Sequence, residues 1–93
     1  MSYTPSRLEW LAVELNAGLR VRLTQDNGYS MDFVPVENVD AILIYVVYLP
    51  TVDREVMNLA IDTARKVIAM KVKSKGWASW VNVKEQVTLA KID

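Results

Sequence analysis

The chain contains neither cysteine nor histidine. Without cysteine it has no disulfide, no thiol nucleophile and no zinc–thiolate site. Without histidine it lacks the commonest general base and the commonest metal ligand. Its three glycines form no Gly-x-Ser-x-Gly motif and no glycine-rich phosphate loop. We therefore predict no catalytic residue, no cofactor and no metal site, and we favour a binding protein over an enzyme.

The chain also lacks a net charge, because eleven basic residues balance eleven acidic ones. This balance removes the usual whole-chain argument for nucleic-acid binding. The charges are nevertheless unevenly distributed: residues 1–62 carry four basic and nine acidic side chains, and residues 63–93 carry seven basic and two acidic ones. Such a split can steer a partner or pair two subunits, or it can vanish if the two halves interleave in the fold.

No apolar run is long enough to cross a membrane. The longest run, Ala41–Leu49, has nine residues, whereas a membrane-spanning helix needs roughly 20. It is rich in β-branched and aromatic residues and predicts a strand that is apolar on both faces, so both faces need a cover. The first five residues do not resemble a signal peptide. We expect one domain over residues 1–93, in the cytoplasm and with no membrane partner.

The start of the chain predicts an amphipathic helix. Thr4 is the expected N-cap, and Gly18 is the expected left-handed stop. The helical spacing of four apolar residues predicts a core stripe: Leu8, Leu11, Ala12 and Leu15. Trp10 and Val13 fall on another side of this helix. A subunit contact, a ligand groove or a neighbouring loop would cover them, or Trp10 lies flat on the surface.

Two alternating segments, Leu19–Thr24 and Tyr29–Val34, predict a β-hairpin. The segment Asp26–Gly28 gives a three-residue loop with Gly28 in the left-handed conformation, which sets Leu23 opposite Met31. Pro35 is expected to end the second strand, and the run 41–49 follows as the third.

A second, longer helix is predicted from Val52 to Met70, with apolar side chains over an arc of about 200°. Gly76 ends this region, and Trp77–Ile92 predicts one long strand with a bend or bulge near Glu85. The predicted fold is α+β with the order α-β-β-β-α-β. Its mainly antiparallel four-stranded sheet carries two packed helices and forms a two-layer sandwich.

The predicted fold has more apolar surface than a monomer of this size can bury. We therefore predict a non-catalytic interaction module that works as a homodimer. An alternative is a small-molecule binding protein, conceivably an enzyme, with an apolar pocket between helix and sheet. Both hypotheses use the same candidate residues: Trp10, Val13, Tyr45, Tyr48 and Met57.

A third hypothesis is a nucleic-acid or acidic-partner binder, because the segment 65–80 combines cations with indoles. Its candidate residues are Arg65, Lys66, Lys71, Lys73, Lys75, Trp77 and Trp80. The same lysines have a structural explanation near a helix C-terminus, where positive charge complements the helix dipole. Nucleic acid is therefore the least favoured partner.

Overall fold

The computed structural model describes residues 6–77 and 81–91. Its elements are α1 (Arg7–Leu19), β1 (Tyr29–Val36), a short 3-10 turn (Glu37–Val39), β2 (Ala41–Tyr48), α2 (Arg54–Ser74) and β3 (Asn82–Leu89). The described strands form one mixed sheet in the order β1-β2-β3. The α+β class is confirmed. The predicted four-stranded antiparallel sheet and the order α-β-β-β-α-β are wrong.

Helix α1 presents the predicted core stripe but has different ends. Leu8, Leu11, Ala12 and Leu15 are all buried. Ser6, and not the predicted Thr4, caps the helix, because its hydroxyl accepts a hydrogen bond from the Glu9 amide. Gly18 lies within the helix, which continues to Leu19, so the predicted glycine stop is wrong.

The segment Leu19–Thr24 does not form the predicted first strand. Because α1 includes Leu19, too little chain is left before the turn, and Val21 alone makes an isolated bridge, opposite Met31. The predicted register, with Leu23 opposite Met31, is therefore wrong by two residues. Gly28 has the predicted left-handed conformation with φ of 76°. A Cβ atom at that position would lie 3.1 Å from a methyl carbon of Val52, so both the positive φ and this tight contact favour glycine there.

Strands β1 and β2 pair antiparallel, with Phe33 opposite Ile44. Pro35 lies inside β1 instead of ending it. Backbone groups alternate in direction along a strand, and those of Met31 and Phe33 point away from β2. Pro35 shares this parity, so its missing N–H costs no bond to β2.

Strand β3 runs parallel to β2, with Ile42 opposite Val83 and Tyr48 opposite Leu89. The physical reason is the connection. A helix of 21 residues spans about 31 Å and returns the chain along the full length of an eight-residue strand. The next strand then starts at the same end as β2 and must run parallel to it. The ladder is continuous through Glu85, so the predicted bend or bulge there is wrong.

Both helices pack on one face of the sheet. Ile42, Ile44 and Val46 of β2 are completely buried and share a cluster with the core stripe of α1. Helix α2 contributes a narrower stripe than predicted: Met57, Ile61, Ala64, Ile68 and Val72. The alternate residues of β2, Leu43, Tyr45 and Val47, lie on the opposite face and are half-buried. We call this opposite face the outer face of the sheet.

Gly76 shapes the end of α2, which extends to Ser74, four residues beyond the predicted end at Met70. With φ of 77° at Gly76, its amide donates to the Lys73 carbonyl at 3.0 Å, and the Trp77 amide donates to the Val72 carbonyl at 2.9 Å. These two bonds define a Schellman motif, in which the residue after glycine folds back on the helix. Trp77 consequently packs against the core cluster.

Candidate interaction surface

The β1 edge of the sheet is closed by other parts of the chain. Val21 and Met31 exchange two backbone hydrogen bonds of 3.3 and 2.9 Å. The Asn16 side chain makes two more to Phe33: its amide donates to the Phe33 carbonyl, and its carbonyl accepts from the Phe33 N–H, both at 2.9 Å. Pro35 offers no N–H. A further strand therefore finds few free backbone groups along β1.

We expect Asn16→Ala to lower the free energy of unfolding by roughly 1–3 kcal/mol, because it leaves the Phe33 carbonyl without its donor. Chemical denaturation measures this change. Asn58→Ala is the matched control, since Asn58 is an exposed asparagine within α2. The control should be neutral or slightly stabilising because alanine favours helix. An Asn16→Ala variant as stable as the control would contradict this role.

The β3 edge has no strand partner within residues 6–77 and 81–91. Alternate residues of β3 turn their N–H and C=O groups toward β2, as shown by the amides of Asn82 and Ala90, which bond to the carbonyls of Asp40 and Tyr48. The odd-numbered residues of β3 therefore turn theirs away from the sheet, where no described strand pairs with them. We call this row of groups the free edge of β3; it consists of Val83, Glu85, Val87 and Leu89.

The free edge carries exposed apolar side chains. Val87 is 43% exposed and Leu89 is 50% exposed, although both lie on the helix-covered face of the sheet. Glu85, on the same face, forms an ion pair with Arg65 of α2. An eight-residue edge strand with apolar side chains and unpaired backbone groups is a surface on which another strand can pair.

The five candidate interface or pocket residues do not form one site. Tyr45 is on the outer face, whereas Tyr48 is on the helix face and Met57 is buried in the core. Trp10 and Val13 are exposed on α1, at 55% and 62%. The predicted pocket near Trp10, Tyr45, Tyr48 and Met57 is therefore not assembled.

A different apolar groove lies between α2 and the segment that follows α1. Its volume is about 330 Å³. The lining is almost entirely apolar and includes Val21, Met31, Val56, Leu59 and Ala60. Thr63 and Tyr29 contribute the hydroxyl groups of this groove.

The predicted basic patch is largely paired within the chain. Lys75 and Lys71 place their ammonium nitrogens 3.0 and 3.8 Å from the carboxylate of Glu14. Lys66 pairs with Asp62 at 3.5 Å, and Arg65 pairs with Glu85. Lys73 has no ion pair among the described residues. Trp80 lies outside the described residues.

Glu14 is the centre of this charge cluster. The side-chain hydrogen bond from Lys75 and the positive charges of Lys75 and Lys71 lower the pKa of the Glu14 carboxyl below its usual value. The ammonium nitrogen of Lys75 also lies 5.3 Å from the centre of the Trp77 ring, close enough for a cation–π contact. The acidic and basic parts of the chain thus interleave here, which leaves less charge for an anionic partner.

Two features of the candidate surface were not found from the sequence: the free edge of β3 and the pair of hydrogen bonds between Asn16 and Phe33 that closes the β1 edge. An asparagine inside an amphipathic helix gives no signal of its own. The one signal that could have indicated this role is the position of Asn16 between the two apolar sides of α1. A polar side chain at that position can form hydrogen bonds to the backbone of an edge strand.

Within residues 6–77 and 81–91, no group of three acidic side chains is placed to hold a metal ion. Over the same ranges, no helix combines the length and apolar character that crossing a bilayer requires. Comparisons with protein-family models, with curated proteins and with solved structures gave no match.

Proposed function

We propose that this protein is a non-catalytic interaction module that works as a homodimer. The observation that carries the proposal is the free edge of β3, where Val83, Glu85, Val87 and Leu89 turn unpaired backbone groups away from the sheet. Pairing with a second copy would satisfy these groups and cover the exposed side chains of Val87 and Leu89.

The contrast between the two sheet edges supports a dimer over a longer assembly. If both edges were open, strand addition could continue from copy to copy and give a fibre. Here Asn16, Val21 and Pro35 close the β1 edge. Pairing at β3 alone is therefore self-limiting and yields a closed two-fold dimer with one continuous sheet.

The outer face of such a dimer would present two copies of the half-buried stripe Leu43, Tyr45 and Val47. These apolar residues are flanked by polar ones, among them Asp32 and Lys84, which lie opposite Tyr45 and Leu43 in the ladders. We propose this face as the surface offered to a further partner. The module is proposed to work in the cytoplasm, and its lack of cysteine is compatible with a reducing compartment.

Sedimentation equilibrium over a concentration series tests the homodimer. We expect a reversible transition from monomer to dimer between low and high micromolar concentration. A protein that stays monomeric at high micromolar concentration would contradict the proposal.

A second candidate function is binding of a small apolar molecule in the groove of about 330 Å³ between α2 and the segment that follows α1. Pockets of this size with few polar groups suit small apolar ligands. A thermal-shift screen against an apolar metabolite panel tests it, with Ala60→Phe as the variant that fills the groove and leaves β3 untouched. The absence of any shift at millimolar ligand would remove this candidate.

A further inference from the structure

The proposed homodimer has a geometry that the sequence of β3 specifies. In an antiparallel pair related by a two-fold axis, residues that point their backbone groups at the partner must lie opposite residues of the same kind. In β3 these are the odd-numbered residues of the free edge. The axis must then pass beside one residue of β3, which faces its own copy across the interface.

The two-fold axis must lie near the middle of β3 if the two strands are to overlap along most of their length, and this leaves two positions. Strand β3 extends over Asn82–Leu89. An axis at residue 85 or at residue 86 pairs nearly the whole strand with its copy, whereas an axis at 84 or 87 leaves several residues at one end without a partner. Because each paired residue on the edge adds backbone hydrogen bonds, the two central positions are favoured.

Charge decides between these two positions. An axis at residue 85 sets Glu85 directly opposite Glu85 of the second copy. Like charges directly opposite are destabilising, and the ion pair of each Glu85 with Arg65 offsets this repulsion only in part. An axis at residue 86 sets Gln86 opposite its own copy, where two neutral amides can bond to each other. It also places Val83 opposite Leu89, Glu85 opposite Val87, and Lys84 opposite Thr88. No like charges then lie directly opposite each other, and Glu85 and its copy are diagonal neighbours about 7–8 Å apart.

We infer that two copies of this chain join through antiparallel β3 strands with the two-fold axis at Gln86, forming a continuous six-stranded sheet. This inference rests on the proposed homodimer and adds its register. The Gln86 side chains lie on the outer face as a non-hydrogen-bonded pair, in which the two Cα atoms are about 4.5 Å apart. That separation is within the range that a disulfide spans.

Cysteine crosslinking tests the register cleanly because the natural chain has no cysteine. In the full-length protein, Gln86→Cys should convert to a covalent dimer under mild oxidation. Lys84→Cys is the matched control: it is on the same face, but its copy would be displaced by about 13 Å along the strand. We expect Gln86→Cys to crosslink on the order of ten-fold faster than Lys84→Cys.

A double variant, Lys84→Cys with Thr88→Cys, gives a second readout, because this register places residues 84 and 88 opposite each other. It should crosslink as readily as Gln86→Cys. If sedimentation shows a dimer but neither variant crosslinks faster than Lys84→Cys alone, the register is wrong and the homodimer stands. If sedimentation shows only monomer, the homodimer and the register both fail.

Discussion

Val87→Pro is expected to weaken dimerisation by on the order of 100-fold or more while the monomer stays folded. The Val87 amide belongs to the free edge of β3 and makes no bond to β2, so proline removes a donor only from the interface. By symmetry each dimer loses two hydrogen bonds. At about 1.5 kcal/mol each, these correspond to roughly two powers of ten in the dissociation constant.

Val87→Thr is the matched control for this experiment. Threonine keeps the amide and the β-branched shape, so the dissociation constant should change only slightly. Circular dichroism of each variant at low concentration confirms that the monomer is folded. A Val87→Pro variant that is folded and dimerises as tightly as the unmodified protein would show that the β3 edge is not the interface.

The second large effect concerns the two faces of β2. Ile44 is completely buried between the sheet and the helices, whereas Leu43, the preceding residue, is half-buried on the outer face. Ile44→Ala should cost about 2–5 kcal/mol, because it leaves a cavity in a close-packed core. This is a large part of the roughly 5–15 kcal/mol that stabilises a domain.

Leu43→Ala removes a similar volume from the other face and serves as the control. We expect its cost to be smaller by at least about 1 kcal/mol, because the site already borders solvent. Urea unfolding at one fixed protein concentration measures both variants, since dimerisation would make stability depend on concentration. Equal losses, or a larger loss for Leu43→Ala, would mean that the outer face is covered as completely as the core.

Helical periodicity was the most reliable guide in this sequence. The stripe of Leu8, Leu11, Ala12 and Leu15 was predicted correctly because a residue's place on a helix depends on its near neighbours. The alternation of Leu19, Val21 and Leu23 was misleading. Alternation is a requirement of a half-buried strand, but the five residues Arg20–Thr24 that remain after α1 hold only one bridge, between Val21 and Met31.

Strand direction could not be predicted from side-chain pattern. Val83, Val87 and Leu89 lie on the side of β3 that faces the helices, but their alternation fits either strand direction. Direction follows from the length of α2, which carries the chain back to the start of β2. The two hydrogen bonds between Asn16 and Phe33 could not be predicted either, because they join α1 to β1 and the relative position of these elements depends on the whole fold.

The apolar run Ala41–Leu49 raised the question of what covers its two faces. The helices cover Ile42, Ile44 and Val46 on one side. The outer face is only half-buried. The apolar surface that remains exposed, and that led us to predict a partner, is therefore divided between this face and the edge of β3. The edge carries the stronger argument because unpaired backbone groups add to the exposed side chains there.

Amide hydrogen exchange, followed by NMR at several protein concentrations, tests the pairing of β3 most directly. The amides of Lys84, Gln86 and Thr88 bond to β2 and should be protected at every concentration. Those of Val83, Glu85, Val87 and Leu89 should exchange rapidly in dilute solution and slow markedly once the dimer forms. Exchange at these four amides that does not change with concentration would contradict the account.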